Sequence, residues 1–421
     1  MDKNTAVIIL AAGKGERMKS AIPKVLHPVC SRPMLGYVLD LVKGFRVSKT
    51  VAVLGHKHEE VKNILPPGIK IVLQKGLRGT GDAVRQAEKA LKGFRGTVLV
   101  LYGDTPLLKS ETIRQLLTHH RQSKPAATVL TVTTDEPSGY GRIIRDKYSS
   151  ISGIVEDKDA DDYEKSINEI NTGIICFDKE ALFGALRKIR PNNAKKEYYL
   201  TDVITLLYKE GRIIEYISIK DVHEVLGINS RKDLALANGI MQKRINDRLM
   251  QQGVSIVDPD SAFIGFGTKV GVDSTIYPFT VIERDVKIGR FCSVGPFAHL
   301  REGTRLEDNT VVGNFIEIVR SRIGKRTLVK HFSYIGDTLI GKDANIGAGT
   351  VTANFNGLKK NITVIKDRAF IGSDTVLVAP VEVGRGAKTG AGSVVTSRHN
   401  VADNTVVAGV PARRLKTDGC A

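Results

Sequence analysis

The sequence predicts two fold classes in tandem: an α/β doubly wound, Rossmann-like domain, then a left-handed parallel β-helix. The first sign is a strict period of six. From Ile264 every sixth residue is aliphatic for ten positions, through Val270, Ile276, Ile282, Ile288, Val294, Leu300, Leu306, Val312 and Ile318. After a one-residue slip the rhythm resumes at Ile323, Val329 and Ile335, then at Ile340 and Ile346, and again at Ile365, Ile371, Leu377 and Val383. Neither the helical period of 3.6 nor plain strand alternation yields that spacing. The second sign is an alternation of short apolar runs with helical patterns in the first half. The third is length, since 421 residues exceed one ordinary core.

Taken in order, residues 6–10 read as a buried strand, and Leu35, Val38, Leu39 and Val42 mark one face of a helix. Strand runs follow at 51–54 and 69–73, then a helix through Ala83, Val84, Ala87 and Leu91. The runs 98–101 and 127–132 are separated by a helix around 113–117. This β-α-β-α order predicts a doubly wound parallel sheet, with ligands outside the carboxyl ends of its strands. Leu234, Ala237, Met241, Ile245 and Leu249 recur at three or four residues and Gly253 closes the run, which predicts one amphipathic helix with a C-terminal cap. The expected organisation is 1–228 for the first domain, 229–252 for a connecting helix and 253–421 for the β-helix.

In a hexapeptide β-helix each unit is one short strand plus a corner, and three units close a triangular coil. The aliphatic residue points inward. Glycine often follows it, as at Gly265, Gly271 and Gly289, which suits a crowded corner without a Cβ. Such an interior is too tightly packed for a ligand, so chemistry belongs on outer faces, in projecting loops or between subunits. The break in rhythm around residues 353–363 predicts one such loop.

The formal net charge is +18, from 63 basic and 45 acidic residues. No Lys/Arg block is interleaved with aromatics and no zinc-finger or RNP-like spacing occurs, so polyanionic small substrates, or simply a well-solvated basic surface, are expected rather than nucleic acid. Cys30, Cys176, Cys292 and Cys420 form no CxxC pair, which suggests neither a zinc site nor a disulfide framework and fits a reducing, cytoplasmic setting. The apolar run 6–12 is too short to span a membrane, so no membrane insertion is expected.

Two loops at predicted strand ends carry chemistry. Residues 10–18 (Leu-Ala-Ala-Gly-Lys-Gly-Glu-Arg-Met) are glycine-rich directly after a strand, so backbone N–H groups can approach phosphates while Arg17 and Lys24 supply cations. The plainer alternative is a tight turn with solvated basic residues. The loop Tyr102-Gly103-Asp104-Thr105-Pro106 puts a carboxylate where Mg²⁺ would meet a triphosphate. Asp104 before Thr-Pro also reads as a helix N-cap.

The motifs LAAGKGERMKSxxPKVLH (10–27), LQxxxxGTGDA (73–83), YGD (102–104), GYGRI (139–143), INTGI (170–174) and EYYLTD (197–202), with the hexapeptide array, resemble one bacterial family nearly end to end. It is the bifunctional N-acetylglucosamine-1-phosphate uridylyltransferase and glucosamine-1-phosphate N-acetyltransferase family. The resemblance implies that the first domain transfers UMP from UTP to GlcNAc-1-phosphate. Arg17 and Lys24 then match cations along the triphosphate, and Asp104 and Asn229 match Mg²⁺ ligands. Gln74 with the Gly79-Thr80-Gly81 turn matches the uracil reader, and Leu10 and Gly13 join that nucleotide-binding set. Gly141, Glu156, Asn171 and Thr201 match sugar contacts.

For the second domain the resemblance implies acetyl transfer from acetyl-CoA to the amine of glucosamine-1-phosphate, with His331 as general base. Arg301 and Tyr334 match groups that hold the sugar phosphate, Asn345, Asn354 and Lys360 complete that pocket, and Ala348, Ser373 and Ala391 match CoA contacts. Such acyltransferases are homotrimers, and loops commonly complete a site on a neighbouring subunit.

The chain departs from the pattern at four places. Glu16 stands where the family has Thr, and a carboxylate there must point outward or weaken UTP binding. Val319-Arg320 replaces a Lys-Lys pair, which removes a charge-assisted bond of roughly 1.5–3 kcal/mol unless Arg320 faces the site. Strand alternation turns Arg320 away from the position of its neighbour. Phe355 lacks an expected aromatic hydroxyl, and residues 408–414 resemble generic hexapeptide acyltransferases. Other readings of the plan are a different nucleotide and sugar-phosphate pair with an altered or inactive acyltransferase domain, or a non-catalytic assembly subunit.

Overall fold

The computed structural model describes residues 4–76 and 78–415; Cys420 lies outside them. The chain divides into two compact units with the boundary between Asn238 and Gly239.

The first unit opens with β1 (Thr5–Ala11), the two-residue hairpin strands β2 (Pro28–Val29) and β3 (Arg32–Pro33), and α1 (Met34–Phe45). It continues with β4 (Lys49–Leu54), α2 (His58–Lys62), β5 (Lys70–Leu73), α3 (Thr80–Gln86), β6 (Thr97–Tyr102), α4 (Ser110–Ser123) and β7 (Ala127–Thr133). Beyond these lie β8 (Arg142–Arg145), β9 (Ile151–Val155), α5 (Asp162–Lys165), β10 (Glu169–Asp178), α6 (Lys179–Leu186), α7 (Asp202–Lys209) and β11 (Ile214–Ile219). The main sheet runs β11-β7-β10-β6-β1-β4-β5, with β8 and β9 attached to the side of β10.

Side chains of β1 alternate between two cores, Ala6, Ile8 and Leu10 in one and Val7, Ile9 and Ala11 in the other. The sheet is thus covered on both faces, which is why β1 and β6 read as unbroken apolar runs. Helices α1 and α4 cover one face through Leu35, Val38, Ile113 and Leu116; α3, α6 and α7 cover the other through Val84, Leu182 and Val203. The expectation of a parallel sheet holds for β5-β4-β1-β6, whereas β10 runs antiparallel to both β6 and β7. Reversal at β10 lets the short β8–β9 hairpin hang from its side and brings new loops to the ligand edge.

Helix α8 (Arg231–Gln251) crosses the unit boundary. Ala237, Met241, Ile245 and Leu249 are its buried stripe. Gly253, at φ +88°, ends it, with its N–H on the Met250 carbonyl and that of Val254 on Leu249. Within the second unit, fully buried Asn246 donates to the carbonyls of Pro259 (2.8 Å) and Ala262 (3.1 Å), tying the end of α8 to the first coil.

The second unit is a parallel β-helix. Phe263 pairs with Val281, Val281 with His299 and His299 with Glu317, each 18 residues on, and every inward aliphatic from Ile276 to Ile318 is buried. Each such side chain contributes roughly 1.5–3 kcal/mol by leaving water. The one-residue slip is a shortened coil: Glu317 pairs with Tyr334, 17 on. Val351 pairs with Val376, 25 on, and the surplus is the loop at 354–362, closed by a Phe355–Lys360 bridge.

The glycines after the inward aliphatics serve spacing between coils. A Cβ on Gly271 would stand 2.6 Å from the Gly289 backbone, and one on Gly289 2.6 Å from Asp308 N. The left-handed corners fall elsewhere, on Asp273, Phe279, Asp285, Phe291, Phe297, Asn309 and Phe315. Corner hydroxyls close the polar ledger between coils, as where Thr268 donates to Glu283 O (2.9 Å) and Ser274 to Gly289 O (2.8 Å).

Candidate active sites

At the carboxyl end of β1 the glycine loop enters a single 3-10 turn, Glu16–Met18, pinned by Met18, which is 1% exposed. Glu16 and Arg17 are exposed, and the Glu16 carboxylate lies 4.0 Å from Lys14, so it faces solvent. Gly13 has open space where a Cβ would sit. Buried Leu10 accepts the Gly103 N–H at 2.9 Å, joining the two predicted loops.

Lys24 opens a second 3-10 turn, Lys24–Leu26, anchored by buried Val25. Its ammonium forms an ion pair with Asp104 Oδ2 and donates to Asn229 Oδ1 at 2.6 Å. The two segments carrying these oxygens are fixed to each other, because Ile228 N–H donates to the Asp104 carbonyl at 3.0 Å. Asn229 N–H is held in turn by Asp233 at 2.9 Å. Asp104 does not cap a helix: α4 begins six residues later with Lys109 as its N-cap.

Among the described residues no group of three or more His, Cys, Asp or Glu could hold a metal. The pair of hard oxygens, Asp104 Oδ2 and Asn229 Oδ1, nevertheless reaches one cation, the Lys24 ammonium, at the same time. That donor set fits a divalent ion that takes its remaining ligands from phosphate and water, the usual habit of Mg²⁺.

Gln74 is buried, and its amide N–H groups are committed to Gly79 O (3.1 Å) and Asp82 Oδ2 (2.9 Å), so its carbonyl oxygen is what remains for a base N–H. A cavity of about 500 Å³ opens beside it, lined by Lys14, Gly55, His56, His58, Leu73 and Lys75. Gly79, at φ +100°, permits the close approach of the next segment: a Cβ there would lie 2.5 Å from Tyr198 O. Thr80 accepts the Leu200 N–H at 3.0 Å, so the GTGD and EYYLTD motifs form one wall.

The predicted sugar contacts share a rung of three strands. Arg142 pairs with Val155 and with Ile170, so Gly141, Glu156 and Asn171 stand together one step beyond. Asn171 N–H donates to Gly141 O at 2.8 Å, and the Thr201 hydroxyl donates to Glu156 Oε1 at 2.9 Å. A bulge after Asn171 breaks the β10 ladder here. Burial pushes the Glu156 carboxyl up, and burial together with Glu156 and Asp159 pushes Asp202 up to about 6.

On the β-helix, Tyr334 and Asn354 converge above Gly336: a Cβ at Gly336 would lie 2.7 Å from both the Tyr334 hydroxyl and Asn354 Nδ2. Asn354, 6% exposed, donates to Asp337, whose carboxylate also takes a two-bond fork from Arg320 at 2.6 and 2.8 Å. The Arg320 guanidinium holds the Asp337 carboxyl below the usual carboxylate range, with help from Asn354 and the nearby Lys360 charge. Arg301 donates to Glu317 at 2.9 Å, and Glu317 pairs with Tyr334 on the next coil. Ala348, Ser373 and Ala391 stack at one corner: a Cβ on Gly347 would meet Ser373 N at 2.6 Å, and one on Gly372 would meet Ala391 N at 2.8 Å.

One predicted residue stands apart within one chain. Asn345 pairs with Leu328 and Phe370, on a different face from Tyr334, which pairs with Val351. His331 is exposed, opposite Asn314, and no side-chain hydrogen bond or ion pair reaches it among the described residues.

The profile of MobA-like NTP transferase domains matches residues 7–187, and that of the hexapeptide repeat of succinyl-transferase matches 362–397. The bifunctional protein GlmU of Heliobacterium modesticaldum is 45% identical over 94% of this chain and 93% of its own length. That of Geobacillus thermodenitrificans is 43% identical over 92% of each, and that of Thermosipho africanus 43% identical over 92% of this chain and 91% of its own. The chain belongs to the bifunctional GlmU family. With membership the resemblance read from the motifs holds, and with it a uridylyltransferase joined to an acetyltransferase in UDP-GlcNAc synthesis, using a divalent metal and acetyl-CoA. No helix among the described residues is long and apolar enough to cross a membrane.

Against this GlmU background the departures take physical form. Val319 is packed at 3% exposure. Arg320 adopts φ +47°, which breaks the alternation of the strand and swings its guanidinium onto Asp337 beside Asn354. Sequence reasoning missed Asp337, and it missed Asp82, which fixes Gln74 while bonded to Arg78 and Arg85. Asp82 was visible as the acid of GTGD; for Asp337, an acid after glycine in a repeat corner, the sequence held no distinguishing signal.

Proposed function

We propose that the first unit transfers UMP from UTP to GlcNAc-1-phosphate and releases pyrophosphate, with Mg²⁺ held by Asp104 and Asn229. The observation that carries this reading is the meeting of Lys24, Asp104 and Asn229 at the end of the central strands. The attacking oxygen of the sugar phosphate is already ionised at neutral pH, so no protein nucleophile is needed. It forms a bond to the α-phosphorus as the bond to pyrophosphate breaks. Held by Asp104 and Asn229, Mg²⁺ would neutralise triphosphate charge. Arg17 and Lys24 add cations along the leaving group, Gln74, Gly79 and Thr80 with Leu10 and Gly13 orient the nucleotide, and Gly141, Glu156, Asn171 and Thr201 hold the sugar.

In the second unit the amine of glucosamine-1-phosphate attacks the thioester carbonyl of acetyl-CoA, His331 takes the amine proton, and the CoA thiol leaves. Arg301, Tyr334, Asn345, Asn354 and Lys360 serve the acceptor, and Ala348, Ser373 and Ala391 serve CoA. We infer a homotrimer, because Asn345 lies on a different coil face from Tyr334 and would meet the rest of the pocket only through a neighbouring subunit. Phe279, Phe297 and Phe315 form an exposed stack with centroids 5.1 and 5.2 Å apart, and the loop exposes Phe355, Leu358 and Ile362; aromatic and aliphatic surface of that extent suits a subunit interface. The expected setting is the cytoplasm, where these substrates and reduced cysteines coexist.

Pyrophosphate release with UTP and GlcNAc-1-phosphate, set against dTTP and glucose-1-phosphate, tests the first activity; preference for dTTP overturns it. Thiol release from acetyl-CoA with glucosamine-1-phosphate tests the second, and none above background overturns that one.

A further inference from the structure

The wall formed by Gly141, Glu156, Asn171 and Thr201 rests on a charged side chain that the mechanism does not use. Arg142 is 2% exposed and sits in β8 on the rung directly behind the wall. Its Nη2 donates to Asp157 Oδ1 at 2.9 Å and its Nη1 to the Tyr140 carbonyl, while Nε is buried without a partner among the described residues. Tyr140 immediately precedes Gly141, and Asp157 immediately follows Glu156. One guanidinium therefore grips the chain just outside both ends of the wall.

Burial of such a cation calls for a reason. Desolvation offsets most of what a buried ion pair gains, and an apolar residue of similar volume would stabilise the site as well. A planar guanidinium offers something else, two bonds in fixed directions from one rigid group. The space it controls has little slack: a Cβ on Gly141 would lie 3.0 Å from Ile154 Cγ2 and 3.7 Å from Asn171 Cβ. A shift of a few tenths of an ångström between the two strands would thus alter the fit of a sugar ring.

We infer that Arg142 is a positioning residue for the sugar phosphate: by clamping the Tyr140 backbone to Asp157 it sets the separation of Gly141 from Glu156 without touching the sugar. This rests on the reading of Gly141, Glu156, Asn171 and Thr201 as the sugar pocket. Nucleotide groups lie on other segments, so the clamp acts on one substrate only.

The test uses the full-length protein with Asp157→Ala, Arg142→Met and Arg142→Lys, measuring KM for GlcNAc-1-phosphate and for UTP separately, calorimetric binding of UDP-GlcNAc, and thermal unfolding. Asp157→Ala and Arg142→Met should raise KM for the sugar phosphate about tenfold and leave KM for UTP within about twofold. Arg142→Lys should recover part of the loss, since it keeps the charge without the fork. Equal changes in both KM values, or no change beside a lowered unfolding temperature, overturn the inference. Asp157 is partly exposed, so its variant decides the matter even where Arg142→Met does not fold. Asn171→Ala and Thr201→Val separate the two levels. If they too leave the sugar-phosphate KM unchanged, the pocket reading fails; if they raise it while the clamp variants do not, the inference alone fails.

Discussion

In the first unit Lys24 and Asn229 meet across 205 residues of sequence, and the loops that carry Asn229 and Asp104 are bonded backbone to backbone. In the second unit neighbours in space are 17 or 18 residues apart almost throughout, yet Asn345 lies on a different coil face from the Tyr334 and Asn354 cluster. A doubly covered sheet leaves strand ends free to gather distant loops inside one chain. A coil filled by its own repeats has only surface to offer, so it completes a pocket by throwing out a loop or by meeting another copy.

The largest effect that would sharpen this contrast is a double dissociation. Asp104→Ala should lower uridylyl transfer by about 10²–10³-fold, the scale of losing one electrostatic anchor of the transition state, with acetyl transfer unchanged. His331→Ala should lower acetyl transfer by about 10²–10⁴-fold and spare pyrophosphate release. Loss of both activities in either variant would break the comparison, because the two sites would then not be independent.

Oligomerisation should separate the units next. Phe297 stacks between Phe279 and Phe315 on exposed surface, so Phe297→Ser should weaken self-association, read by light scattering across dilution. If subunits share the acetyl-transfer site, acetyl transfer should fall about 10–100-fold at low protein concentration while uridylyl transfer per chain stays constant, since dissociation by mass action would remove only that site. A concentration-independent acetyl rate would show that one chain suffices. Smaller still, Asp337→Asn should cost acetyl transfer about tenfold by loosening Asn354 and releasing Arg320 from its fork, a charge-assisted pair worth about 1.5 kcal/mol. An unchanged KM for glucosamine-1-phosphate would remove Asp337 from that site.

How far the sequence discloses all this follows the same division. The strands β1 and β6 were legible because both faces are buried, and the β-helix because a six-residue period has no other common cause. The β8–β9 hairpin and the reversed β10 were not, since their residues mix charge and apolar character and pair only through tertiary contacts. Glycine spacing was visible but its reason was not: the left-handed corners carry Phe, Asp, Asn and Arg as well as Gly267 and Gly303, and the glycines after the inward aliphatics mostly separate coils. Lys24, Asp104 and Asn229 could be named from motifs, whereas their convergence lies beyond any local pattern. Arg142 was missed because a charged residue in a strand reads as solvent-facing, yet it is buried; Arg320 was expected to turn away from the site and is instead brought round by a backbone angle that alternation does not foresee.

The smallest prediction concerns pH and belongs to the first unit alone. Asp202 opens α7 beside Thr201, and burial with the charges of Glu156 and Asp159 lifts its carboxyl to about 6, above the roughly 3.9 of an unfolded aspartate. The folded state therefore binds this proton more tightly than the unfolded state. Its contribution to stability is fully present below pH about 4 and is lost as pH rises through about 6. Asp202→Asn removes the charge and keeps an oxygen for the backbone, so it should raise the unfolding temperature of the first unit by a few degrees at pH 8, about 1 kcal/mol for a domain of this size, and hardly at all at pH 4.5. The second unit's transition should not move at either pH. A gain that is equal at both pH values would mean that packing, not the crowding of carboxylates around Glu156, sets the energy of this site.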